Sequence, residues 1–122
     1  KMSEEIPPRV RQQVVRVQQT RDSLQYVDAL LAQTKQQIAE TNSALAQLKE
    51  LAADAVIYQA AGTILFKTTK DKASKGLDEQ AESLNLRVKS LEKQQAQLRK
   101  QFESLQETLR GMLGQPGPAP AE

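Results

Sequence analysis

DAVIYQAAGTILFKT, residues 54–68, is the stretch whose reading decides the fold. Ala55-Val56-Ile57-Tyr58 and Thr63-Ile64-Leu65-Phe66 are short runs rich in β-branched and aromatic residues, with Gly62 between them. That is the pattern of a β-hairpin. Strand alternation puts Val56 and Tyr58 on one face and Ile57 on the other, while Ile64 and Phe66 oppose Leu65. Both faces are therefore apolar. A lone two-stranded hairpin is marginal in water, and one apolar on both sides needs cover. The expectation is that something outside this chain covers it.

On either side of this stretch the period changes from two to seven. Pro7-Pro8 mark a helix start. From Arg9 onward Val10, Val17, Leu24, Leu31, Ile38, Leu45 and Ala52 recur at heptad spacing. The companion positions Gln13, Thr20, Val27, Thr34, Thr41 and Leu48 are more polar, so this arm reads as one firm stripe and one soft one. Ala32, Ala39, Ala46 and Ala53 hold a further position where a neighbouring helix could approach. After the hairpin, Thr68-x-x-Asp71 has the form of a loose capping box. Gly76 softens the first turns by about 1 kcal/mol relative to alanine. Leu77, Leu84, Leu91, Leu98, Leu105 and Met112 then form one seam, and Ala81, Val88, Gln95, Phe102 and Leu109 the other. Gln95 is the kind of lone polar seam residue that selects a register. Gly111, Gly114, Pro116, Gly117, Pro118 and Pro120 end the helix.

The expected division is a disordered lead over 1–8, a coiled-coil helix over 9–53, a hairpin over 54–69, a second helix over 70–113 and a disordered tail over 114–122. The fold class is mainly α: a long antiparallel two-helix coiled coil joined by one β-hairpin. Each arm of roughly forty residues would run about 60 Å. The short connection turns the second arm back, so Val10 should lie near Met112, with the hairpin at one end and the free tips at the other.

Composition narrows the chemistry. The chain of 122 residues has no cysteine and no histidine, which removes the commonest metal ligands, general base and nucleophile partners. Charged residues make up 26% with both signs interleaved and a formal net charge of +2, unlike the clustered basic face of a nucleic-acid binder. No apolar run is long enough to span a membrane, and no signal-peptide core is visible. Lys1 ahead of Met2 reads as an added residue. Gly62 before Lys67-Thr68 lacks the second glycine of a phosphate-binding loop, and Ile64-Leu65-Phe66 fill its interior with strand residues. Glu79, Glu82, Glu103 and Glu107 lie off the seams as solvated surface. No catalytic residue, cofactor site or metal site is expected, and the chain does not read as an enzyme. A rigid antiparallel spacer or nucleic-acid-binding arm is the rival reading; it would want a basic stripe and no double-faced hairpin.

From Ile6 to Leu113 the chain resembles the prefoldin family, specifically its beta class. The residues that carry this are Leu51-Ala52-x-Asp54-Ala55-Val56-Ile57-Tyr58 through Gly62 to Lys67-Thr68-Thr69-Lys70, then Leu86-Arg87-Val88-Lys89-Ser90-Leu91-Glu92-Lys93-Gln94, with Ile6-Pro7-Pro8-x-Val10 at the start. The family's alpha class carries two hairpins, and residues 54–69 leave room for one. Gly76 and the tail from Gly114 depart from the family pattern. The resemblance implies a cytoplasmic hexamer of two alpha-class and four beta-class subunits, with hairpins assembled into intersubunit β-barrels. It implies an ATP-independent holdase that captures unfolded proteins with coiled-coil tips and passes them to a group II chaperonin. Neither nucleic acid nor membrane is an expected partner.

Two sets of residues follow. Val56, Ile57, Tyr58, Gly62, Ile64, Leu65 and Phe66 are the expected assembly hairpin. Val10, Val14 and Val17, with Phe102, Leu105, Leu109, Met112 and Leu113, are the expected client-binding tips, because seam residues near a free end lack neighbours on one side. Val14 and Leu113 lie off the main seams and should be the most exposed. The competing role for Phe102, Leu105, Leu109 and Met112 is to zip the coil shut.

Overall fold

The computed structural model describes residues 5–114; the expected disorder of residues 1–4 and 115–122 lies outside the described residues. The order of elements is α1 (Pro8–Lys49), β1 (Ile57–Ala61), β2 (Ile64–Thr68) and α2 (Lys70–Met112). Pro8 is the first residue of α1, where its missing N–H costs nothing, and the Pro7 carbonyl accepts from the amides of Val10 and Arg11. Forty-two residues without glycine or an internal proline then run unbroken.

The helix ends at Lys49, four residues before the expected boundary at 53. Alanine propensity does not keep Ala52 and Ala53 helical, because the chain must turn to bring Ile57 opposite Thr68. Short-range bonds from the amides of Glu50 to Gln47 and Leu51 to Leu48 close the last turn. The Lys70 ammonium donates to the Leu51 carbonyl at 2.7 Å. Favourable cations at a helix C-terminus do the same work elsewhere.

At the start of α2 the capping residue is Thr69, not Thr68. The Lys72 amide donates to Thr69 Oγ1 at 3.2 Å, the side-chain bond of an N-cap to the third helical residue. Thr68 is already paired with Ile57 in the β-ladder, so its main chain is committed there. Asp71 still sits in the first turn, where its charge favours the helix dipole. At the other end Gly114 adopts a φ of 72°, the left-handed conformation that commonly stops a helix. Gly111, expected to help end the helix, lies inside it.

The chain divides into two compact units, Lys1–Leu30 with Leu91–Glu122, and Leu31–Ser90. The first unit packs the start of α1 against the end of α2. The pairs that hydrogen-bond across it, Gln13 with Leu105 and Asp28 with Gln95, run in opposite senses along the chain, so the helices are antiparallel. Its core is Val10, Val27 and Leu91, with Gln13 and Thr20 buried among them. The second unit contains the hairpin; Leu31, Leu48 and Ala73 form its apolar core, with Thr34 and Thr41.

In both units the stripe read as soft is the one most completely covered. Gln13, Thr20, Val27, Thr34, Thr41 and Leu48 are all buried, whereas in the firm stripe only Val10 and Leu31 are. The reason is position, not size: along this stripe Gln13 and Leu48 are buried as fully as the threonines, while Leu24, Ile38 and Leu45 of the other stripe keep part of their surface in water. The hydroxyls need not be stranded: Thr41 Oγ1 donates to the Gln37 carbonyl at 2.8 Å, one turn back. No buried side-chain nitrogen or oxygen among the described residues lacks a hydrogen-bond partner.

Candidate functional site

The hairpin closes through Gly62 and Thr63, with Ala61 opposite Ile64. Gly62 has a φ of 61° and Thr63 does not turn positive, the combination of a type II′ turn with glycine first. Sequential pairs are Ala60 with Leu65, Gln59 with Phe66, Tyr58 with Lys67 and Ile57 with Thr68. The strands therefore start later than the sequence runs did, and Val56 stands ahead of the ladder. One face carries Ile57, Gln59, Ala61, Ile64, Phe66 and Thr68; the other carries Tyr58, Ala60, Leu65 and Lys67.

Both faces are open. Val56, Tyr58, Ile64, Leu65 and Phe66 are exposed, Leu65 to 68%, and of the expected assembly residues only Ile57 is half-buried. The two edges are open as well. In antiparallel pairs bonded and non-bonded pairs alternate. Counting from the closing pair Ala61/Ile64, the main-chain groups of Tyr58 and Ala60 point out of the β1 edge, and those of Leu65 and Lys67 out of the β2 edge. Such edges are templates for another strand.

In the unit formed by the helix ends, the expected tip residues separate. Val10 is 4% exposed and belongs to the core. Val14, Val17, Phe102, Leu105, Leu109 and Met112 are half-buried, and Leu113 is exposed. Val14 is thus more covered than its off-seam position implied. Ile6 and Val15 are exposed in the same unit and were missed; both are apolar residues off the two seams, the signal that had singled out Val14 and Leu113. Polar bonds cross this unit. Gln13 Nε2 donates to the Leu105 carbonyl at 2.9 Å, and Gln95 Nε2 donates to Asp28 Oδ1 at 2.7 Å.

The remaining charges sit at the surface, with ion pairs at Arg110–Glu107 (2.9 Å) and Arg21–Asp22 (3.7 Å). Exposed pairs of this kind contribute little. No group of three or more histidine, cysteine, aspartate or glutamate side chains suited to a metal ion occurs among the described residues. No helix among them is long and apolar enough to cross a membrane. What the arrangement offers is surface: a two-faced apolar hairpin with open edges, and partly bared apolar side chains at the helix ends.

Comparison with known proteins gives a consistent picture. The family model for prefoldin subunits matches residues 11–116. The prefoldin subunit beta of Methanosarcina mazei is 34% identical over 113 residues, covering 93% of this chain and 97% of the relative. That of Sulfolobus acidocaldarius is 36% identical over 112 residues, covering 92% and 90%. Among solved structures, the prefoldin beta subunit from Thermococcus strain KS-1 superposes with a TM-score of 0.81 at 32% identity, covering 93% of this chain and all of that one.

Proposed function

The chain belongs to the prefoldin family, and we propose that it serves as a beta-class subunit of a heterohexameric holdase, joined to alpha-class subunits and to other copies of itself. In this reading the hairpin residues Ile57, Tyr58, Ile64, Leu65 and Phe66, with Val56 beside them and Gly62 at the turn, are the assembly element. They contribute to a β-barrel built between subunits. The helix ends hold unfolded client proteins without ATP, and clients pass from them to a group II chaperonin. The setting is the cytoplasm, which suits a chain without cysteine.

The single observation that supports this most is the hairpin. Leu65 is 68% exposed and its apolar neighbours are also in water. Two open edges and two apolar faces on so small a sheet call for neighbouring strands. Phe66→Asp should convert the assembly to free subunits in sedimentation velocity, because a carboxylate would have to be buried between strands. An assembly of unchanged mass would sink the reading.

Capture is supported by the half-buried set Val14, Val17, Phe102, Leu105, Leu109 and Met112, with Leu113 exposed beside it. Flexible surfaces that include methionine suit clients of no fixed shape. Truncation after Gln106 should abolish most suppression of aggregation of a chemically denatured client while the complex keeps its mass. Full suppression by the truncated complex would place capture elsewhere.

A further inference from the structure

The interleaving of charge along the chain stops at the start of α1. Residues 6–21 hold four arginines, Arg9, Arg11, Arg16 and Arg21, and no acidic residue. Arg21 meets Asp22 at 3.7 Å, whereas Arg9, Arg11 and Arg16 make no ion pair among the described residues. Arg9 and Arg11 do not serve the helix either. The positive end of a helix dipole favours acids and disfavours cations. The start of α2 obeys, with Asp71 in its first turn, while the first turn of α1 has no acidic residue. Exposed arginines in such a place are open to an anionic group from outside the chain.

Arg11 and Arg16 also line a shallow surface groove of about 540 Å³, together with Pro8, Gln12, Val15 and Gln19. At about 3.6 residues per turn, this face lies on the side of α1 away from the seam residues Val10, Gln13, Val17 and Thr20. Val15 is 48% exposed. It follows Arg11 by one turn and precedes Arg16, so its apolar surface has a guanidinium on either side. A guanidinium grips a carboxylate through two parallel N–H donors. The chemistry that fits is therefore an apolar side chain flanked by carboxylates. No aromatic side chain lines the groove, and grooves for single-stranded nucleic acid use aromatics to stack the bases. Val14, half-buried, is the next residue to Val15, so the face adjoins the capture surface proposed above. We propose that Arg11 and Arg16, on either side of Val15, select among unfolded clients, favouring segments in which acidic residues flank an apolar one. The proposal rests on the helix ends being the place of capture.

Three dye-labelled peptides test the selection, each with leucine at every third position and with glutamate, glutamine or lysine at all the others. Their affinities for the assembled complex are read by fluorescence anisotropy. The glutamate peptide should bind about tenfold more tightly than the glutamine peptide, with the lysine peptide weakest. That preference should shrink as salt is raised, since the contacts are exposed and screened. In a complex carrying Arg11→Gln with Arg16→Gln the preference should vanish, and with Arg11→Glu and Arg16→Glu the order should reverse. Equal affinities for the glutamate and glutamine peptides in the wild type overturn selection and leave capture standing. So does a preference that persists in the glutamine variant. Displacement of the glutamate peptide by oligodeoxythymidylate at a lower concentration of charge assigns the face to nucleic acid and also overturns the proposal. If none of the three peptides binds, capture at the helix ends fails and selection fails with it.

Discussion

The hairpin and the helical seam dispose of their side chains in opposite ways. In β1 and β2 the large apolar residues other than the half-buried Ile57 lie in water, Leu65 to 68%. In the seam of α1 it is the polar residues that lie buried: Thr34 is 2% exposed, Thr41 4% and Gln13 5%. Hydrophobicity alone would have ordered the two regions the other way round. What differs is who supplies the cover. The seam is covered by this chain's own second helix, and the buried polar groups find partners there: the Thr41 hydroxyl one turn back, the Gln13 amide across on the Leu105 carbonyl. The hairpin has two thin apolar faces and no layer of its own to bury them. In the proposed function, other subunits cover it.

Substitutions in the two regions should therefore fail in different ways. The largest effect is expected at Phe66. Phe66→Asp should remove assembly while the helicity of the free chain, followed by circular dichroism, stays as in the wild type; a matching loss of helicity would mean that the hairpin is part of the chain's own core. Leu31→Ala should do the reverse, costing the arm about 2–5 kcal/mol in denaturant unfolding by removing a buried apolar side chain. A smaller loss of roughly 1–2 kcal/mol is expected for Gln13→Ala, which deletes the buried bond to the Leu105 carbonyl. Faster hydrogen exchange near Leu105 should accompany it, and a neutral result would demote that bond to decoration. Thr69→Ala should cost about 1 kcal/mol through loss of the N-cap, read as fraying of the first turn of α2.

Much of this was legible without coordinates. Heptads from Val10 to Leu45 and from Leu77 to Met112 mark two helices, and the β-branched runs around Gly62 mark the hairpin. Less legible were the details that depend on a partner element. Thr68 and Thr69 are equivalent as capping residues until the ladder claims Thr68. Val56 has the chemistry of a strand residue and stands outside the strand because Ile57 is the last residue with a partner, Thr68. Tip residues could be expected from seam positions, yet Val10 proved to be core and Ile6 and Val15 proved to be exposed.

An uncharged groove between β1 and the helical segments beside it, bounded by Ala44, Ile57, Gly76 and Leu77, was the least legible feature. In the sequence that glycine is only a soft place in a helix. Its surroundings come from Ala44, Ile57 and Leu77, residues whose proximity depends on how the chain turns at both ends of the hairpin.

By itself, then, the sequence determined the element types and their order, because period and turn chemistry are local properties of the chain. It also determined that apolar surface would be left over in the hairpin, because four or five residues per strand with apolar side chains on both faces cannot cover themselves. Only the tertiary structure decided which seam is buried, which threonine caps α2, and where an uncharged groove opens beside β1. Those depend on the distance and rotation of one helix or strand against another, which side-chain size and hydrogen bonding settle once both partners are in place.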